Sequence, residues 1–467
     1  MIARMLPLAL AAALVTTGCS SLLAPDYHRP QAPVPAALPD YGHRTDAERL
    51  ELDWRAFILD ARLRQVVETA LANNRDLRIA ALNIDKARAQ YGISRADLLP
   101  SINATATGTH SQTAQDLTSA GTPRITHGYS AGLGFSAWEI DLFGKLQNQK
   151  DAAWETFLQS AETRNATQIS LVAEVVNAWL TLAADQDRLK LAEDTLANQQ
   201  TSYALIAGRF HFGIGSQLDV SQAQTTVDSA RVDAAGYRSQ VEQDRNALAL
   251  LAGAPLTDSM LPPTGLFDDA PVLTELPSGL SSEVLLARPD LRADEHALKA
   301  ANANIGAARA AFFPSITLTA SVGSASNDMS RLFKGGNGTW NFVPQLNLPI
   351  FNGGALMASL DVAKVSRDIN VAQYQKDIQT AFRETADALA VRANMDEQLA
   401  AQQHLAAASA NSYQLSDARY KAGIDGYLTL LDSQRSLYAA EQKLITVKLA
   451  QQANRVTLFK VLGGGAS

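Results

Sequence analysis

Apolar residues recur every seven positions over long, proline-free stretches. Val175, Leu182, Leu189, Leu196 and Tyr203 form one ladder, and Val220, Val227, Ala234, Val241 and Leu248 form a second. A third runs through Leu430, Leu437, Leu444 and Leu458, with Gln451 interrupting it. This period predicts coiled-coil helices over about Lys145–Ala207 and two shorter segments ending near Leu251 and Leu462, and the proline-free stretch Ala355–Ala418 is read as the counterpart of the first. Elsewhere the period drops to two. Ile316, Leu318, Ala320 and Val322 share one parity, and Thr317, Thr319 and Ser321 share the other. Tyr129, Ala131, Leu133, Phe135 and Ala137 are predicted on one strand face, and Trp340, Phe342, Leu346 and Leu348 on another. Pro344 argues against regular pairing in the last strand.

These patterns occur twice. Asn73–Ile102 returns as Ala287–Ile316 at an offset of 214, and "RFHFGIGSQLDVSQAQ" (Arg209–Gln224) returns as "RYKAGIDGYLTLLDSQ" (Arg419–Gln434) at an offset of 210. "WEIDLFG" has a fainter echo in "LNLPIFNGG", with Phe143 matching Phe351. Residues 61–257 and 280–465 are therefore two copies of one unit, joined by a proline-rich linker over 258–279. Each copy has a first helix (about Leu63–Ala96 and Ser282–Ala311), two strands around a Gly/Ser/Thr/Asn-rich loop, then a long and a short helix. Pro100 and Pro314 stop the first helices. A helix of about 63 residues would run roughly 95 Å, and two helices near 35 residues stacked end to end would match it. The expected architecture is an elongated tube wall, with strands at one end and glycine corners at the other.

Four strands cannot close a barrel, and open edges are not tolerated in lipid. Two chains would give eight strands, whose interior side chains fill. Three chains give twelve strands around a water-filled passage, so a homotrimer is expected. The fold class is thus mainly α with a membrane β-barrel portion. Long coiled-coil helices form an α-barrel, and four strands per chain contribute to a trimeric twelve-stranded β-barrel.

Composition narrows the function. A net charge of −7 gives no electrostatic argument for nucleic acid. No long uncharged apolar run predicts a transmembrane helix after the N-terminus. Residues 1–18 read as a signal peptide, with a positive start and an apolar Leu6–Val15 core. The single cysteine, Cys19, follows Gly18 and is the candidate lipidation site, although Thr16 stands where such sites usually hold Leu. Residues 19–60 then form a lipid-anchored, extended N-terminal segment. With one cysteine there is no disulfide framework, and the seven histidines show no metal-ligand spacing. His211, His296 and His404 are read as surface residues. "KGGNG" lacks a full phosphate-loop pattern. No catalytic set, cofactor or metal is expected.

Taken together, the duplicated unit, the R-[FY]-x-x-G-I corners, "VSQAQ", "LLDSQRSLYAAE" and "APDYHRP" give the chain a family resemblance. It resembles the TolC-type outer-membrane efflux channels, in the lipoprotein branch that works with multidrug pumps. The resemblance covers nearly all of the mature chain. It implies a passive exit duct anchored in outer-membrane lipid, docking with a periplasmic adaptor protein and, through it, an inner-membrane proton-driven pump. Two alternatives are a duct for type I protein secretion and a periplasmic coiled-coil adaptor or scaffold.

The corners carry the candidate site residues. Gly213 and Gly423 can take positive φ and end a helix. Arg209 and Arg419 fall in the last helical turn, where a cation is favoured. Ile214 and Ile424 are expected to pack back over the turn. By resemblance, these six residues form the adaptor-docking tip. Asp219 and Asp432 are the candidates for a tunnel-entrance constriction, a ring of carboxylates under three-fold symmetry that favours cations. Gln222 and Thr429 stand at the alternate positions.

Overall fold

The structure is a computed structural model that describes residues 23–39, 41, 53–268, 271–276 and 281–464. The signal peptide and Cys19 lie outside the described residues. After one helical turn, Trp54–Phe57, the first copy runs α1 (Ala61–Asn73), α2 (Arg75–Ala96), β1 (Asn103–Gln112), β2 (Ile125–Ile140), α3 (Lys145–His211) and α4 (Gln217–Ala252). The second runs α5 (Pro289–Ala310), β3 (Ser315–Ser326), β4 (Gly338–Asn347), α6 (Ala355–Lys421) and α7 (Tyr427–Val461). Both long helices have 67 residues.

The first helix of each copy is shorter than its hydrophobic pattern predicts. In the first copy, Asn74 takes an extended backbone (φ −60°, ψ 134°) and separates α1 from α2. Its carboxamide oxygen accepts from the backbone N–H groups of Asp76 and Leu77, which caps α2. The equivalent Arg288 has the same φ and ψ. There Pro289 excludes a helical residue before it, and Ser282–Ala287 forms a 3-10 turn instead.

Two compact units emerge, and each draws on corresponding parts of both copies. Among the described residues, one contains those of 83–161 and 293–374 with 23–31, and the other contains those between 32 and 82, between 162 and 292 and from 375 to 464.

The first unit holds a four-stranded antiparallel sheet in the order β1-β2-β3-β4. Register partners carry the apolar parity across the sheet: Leu133 pairs with Val322, and Val322 pairs with Trp340. Phe135, Ala320 and Phe342 form the next such row. Ala137 does not belong to this face, contrary to the simple alternation. A bulge between Phe135 and Trp138 leaves Ala137 at φ 52°, and Trp138 takes the in-register place opposite Leu318. Pro344 does not break the pairing either. It sits opposite Leu318 in β4, the edge strand of the chain's own sheet, where a missing N–H is tolerated. Leu348 falls just past the end of β4.

Below the sheet, Phe143 stacks on Phe313 at 4.7 Å. The N-terminal segment is fastened to α5 at successive points. Arg309 donates to the Leu23 carbonyl, Asn302 donates to the Pro25 carbonyl, and Arg29 pairs with Glu295 at 2.7 Å. His296 is not a surface residue as its position in a polar stretch predicts. Its side chain is 16% exposed and meets Glu155 at 2.6 Å.

In the second unit the seven-residue ladders face inward. Val175, Leu182 and Leu248 are fully buried, and Val227, Ala234 and Val241 nearly so. Trp179 is buried with its indole N–H donated to the Met260 carbonyl, and Phe57 stacks on Phe459 at 4.3 Å. One helix, Lys145–His211, contains a window long and apolar enough to cross a membrane, which the charge pattern did not lead us to expect. That window is 61% buried against the chain itself and so has the character of a core helix.

Candidate functional site

Both glycine corners belong to the second unit. Each closes with the same two backbone bonds. Gly213 N–H donates to Phe210 O and Ile214 N–H to Arg209 O. Gly423 N–H donates to Tyr420 O and Ile424 N–H to Arg419 O. This is the Schellman arrangement, and it needs positive φ at the glycine, found at 73° and 75°. Ile214 and Ile424 contribute their N–H groups but not their side chains. They are 69% and 64% exposed rather than packed over the turn.

Beneath the corners, Tyr420, Tyr427, Leu430 and Leu431 form a buried cluster with Ile206 and Ala223. The guanidinium of Arg209 lies over the Tyr420 ring at 5.3 Å, which ties the first corner to the second. Arg419 instead forms a two-point pair with Asp425, at 2.6 and 2.9 Å. Its guanidinium holds the Asp425 carboxyl below the usual carboxylate range. The first corner has Gly215 at the place of Asp425, so the two corners differ in charge. Asp425 stands six residues after Arg419, and the turn at Gly423 is what brings the two together.

Apolar side chains crowd the first corner's surface. Phe212 is 78% exposed and Leu218 65%. Phe210 and Ile214 are exposed beside them. Such a patch marks a contact surface.

The two candidate constriction carboxylates have different surroundings. Asp219 is the third residue of a capping box: Ser216 Oγ accepts from Asp219 N–H, and the Asp219 carboxylate accepts from Ser216 N–H. That gives Asp219 a local structural task. Asp432 is exposed on the first turns of α7.

The sheet has two chemically distinct faces. Leu133, Val322, Trp340, Phe342 and Leu346 are all more than half exposed on one of them. The opposite parity carries Thr105, Thr107, Ser130, Thr317, Thr319, Asn341 and Gln345. An exposed apolar face backed by a polar one is the pattern of a strand set with lipid on one side and water on the other.

The sequence profile of the outer membrane efflux protein family matches residues 66–254 and 280–464, the two copies in turn. The chain belongs to this family. A probable efflux pump outer membrane protein, TtgC of Pseudomonas putida, is 50% identical over 458 residues, covering 97% of this chain and 94% of that one. The cation efflux system protein CusC of Escherichia coli is 40% identical, covering 99% of both. Among solved structures, CusC superposes with a TM-score of 0.85 at 39% identity, over 95% of this chain and 100% of that one. The open state of the Neisseria gonorrhoeae MtrE outer membrane channel gives 0.85 at 37% identity, over 95% of this chain and 98% of that one. The efflux protein described here is thus an outer-membrane protein with the channel fold of these relatives.

Proposed function

We propose that three copies of this efflux protein close a twelve-stranded barrel and form a passive exit duct for small molecules. The observation that carries this is the sheet. It has one exposed apolar face, one polar face, and edges at β1 and β4 left without a partner strand among the described residues. Unpaired edges are not sustainable in hydrocarbon, so neighbouring chains must supply the missing strands. Relatives carry names that refer to toluene, antibiotics and cations. One fold with such varied cargo suits a conduit whose selectivity lies in the pump that feeds it.

In this reading Gly213, Gly423, Arg209, Arg419, Ile214 and Ile424 form the tip that meets a periplasmic adaptor protein, which links the duct to an inner-membrane proton-driven pump. The exposed phenylalanines and isoleucines support this contact. Asp432 rings the entrance, three carboxylates about the axis. Cys19 carries lipid in the periplasmic leaflet. Leu23, four residues on, is held by Arg309, and α5 ends shortly before β3 begins.

Replacing Gly423 with Arg tests the tip. No atom lies within 4 Å of a Cβ built there, so the side chain fits. The positive φ costs about 1–3 kcal/mol, which a chain of this size survives. Heat-modifiable trimers should persist in outer membranes while efflux is lost. Full drug export by this variant would overturn the docking role.

A further inference from the structure

His110 on β1 and His127 on β2 are register partners near the top of their hairpin. Their Nδ1 atoms lie 2.6 Å apart, with ring centroids at 4.8 Å. Both side chains are exposed and share the parity of Tyr129 and Leu133, the apolar face of the sheet. At this separation only one of the two Nδ1 atoms can hold a proton, and the other must present a lone pair.

Tyr129 offers His110 an acceptor for Nε2–H. Its hydroxyl is 3.3 Å from His110 Nε2, with the rings edge to face. A His110 that donates Nε2–H to this oxygen has a bare Nδ1 facing His127. An imidazole fixed through one nitrogen, with the other free to coordinate, is how metal-binding histidines are oriented. We propose that His110 and His127 bind a borderline divalent transition-metal ion through their Nδ1 atoms, with Tyr129 orienting His110. Coordination through His127 Nδ1 moves that ring's proton to its Nε2, with no net proton lost from the neutral pair, and metal–nitrogen bonds of about 2.0–2.1 Å need only a small opening of the pair. Imidazole nitrogen selects zinc, copper or nickel over magnesium or calcium. Among the described residues no group of three or more His, Cys, Asp and Glu is placed to bind a metal, so water completes the coordination. The ion would clip β1 to β2 just below the 113–124 loop.

The test uses the full-length trimer in detergent, without an affinity tag. Zinc titrated by calorimetry should bind at one ion per chain. Copper(II) should give an electron paramagnetic resonance spectrum with two nitrogen ligands. His110→Gln/His127→Gln should lose that site while keeping heat-modifiable trimers. Tyr129→Phe should keep the stoichiometry and weaken binding by about tenfold or more. The same stoichiometry and spectrum in the double variant, or no zinc binding by the native trimer, would overturn the site. Unchanged affinity in Tyr129→Phe would overturn the assigned orientation.

Discussion

Gly132 on β2 and Gly323 on β3 face each other across the sheet with no room for a side chain on either. A Cβ on Gly132 would fall 2.8 Å from Val322 O, and one on Gly323 would fall 2.3 Å from Ala131 O. Both contacts are with backbone, which cannot rotate away. The pair lies on the polar face. Gly323→Val is expected to block formation of heat-modifiable trimers while leaving helical circular dichroism largely in place. Trimers of normal yield and heat stability would show that the strands can separate here at little cost.

Asp244 on α4 shares a hydrogen bond with the buried Asp185 on α3, itself paired with Arg188 at 2.5 Å. Burial and the bond to Asp185 push the Asp244 carboxyl up to about 6, against the opposing effects of Gln240 and Arg188. A raised carboxyl means the folded state holds a proton that the unfolded chain releases. This contribution is present below the ordinary carboxylate pKa and is lost as pH rises to about 6. Asp244→Asn mimics the protonated form. Its apparent Tm should match the native protein near pH 4 and exceed it above pH 6, by less than about 3 kcal/mol in free energy. A constant difference across that range would place the proton elsewhere.

The pattern of sevens and twos, repeated along the chain, located the long helices and the four strands, because helix and strand each set two chemically different faces at a fixed period. What it missed were single-residue events that preserve the hydrophobic period. Asn74 interrupts a helix without disturbing the spacing of Leu63, Val66, Val67 and Ala70, all buried. The bulge at Ala137 exchanges a small residue for Trp138 on the same face. His296 looked polar and solvated, since nothing local announces a partner such as Glu155, 141 positions earlier. The corner glycines were legible, because positive φ restricts residue choice. The loads on Arg209 and Arg419 were not, since Tyr420 and Asp425 become partners only once the chain has turned.

Asp219 and Asp432, the two entrance candidates, differ in their surroundings. Asp432→Ala removes an exposed carboxylate with no capping function. In planar bilayers it should raise single-channel conductance or weaken block by divalent cations. Asp219→Ala removes half of a capping box and should lower stability by about 0.3–1.5 kcal/mol with little effect on conductance. Unchanged conductance and block in Asp432→Ala would remove it from the entrance.

The contacts of residues 23–31 with α5 offer a way to ask how firmly the chain holds its N-terminal segment. Arg29 and Lys299 converge on Glu295, at 2.7 and 3.2 Å, and Lys299 also lies over the Tyr27 ring at 5.3 Å. Burial raises the Glu295 carboxyl, but the hydrogen bonds from Lys299 and Arg29 outweigh it and the net direction is down. For a carboxyl lowered in the folded state, the stabilisation is complete above the unfolded pKa and disappears as pH falls through the folded value. The segment should therefore stay docked through mildly acidic pH and release only below the ordinary glutamate range. Arg29→Ala removes one of the two cations and should weaken docking by on the order of 1 kcal/mol at any neutral pH. Limited proteolysis reads both effects. Cleavage within residues 23–31 should be faster in Arg29→Ala at pH 7, and in the native protein only at low pH. Equal cleavage rates for the two at pH 7 would show that the backbone bonds from Arg309 and Asn302 hold the segment on their own.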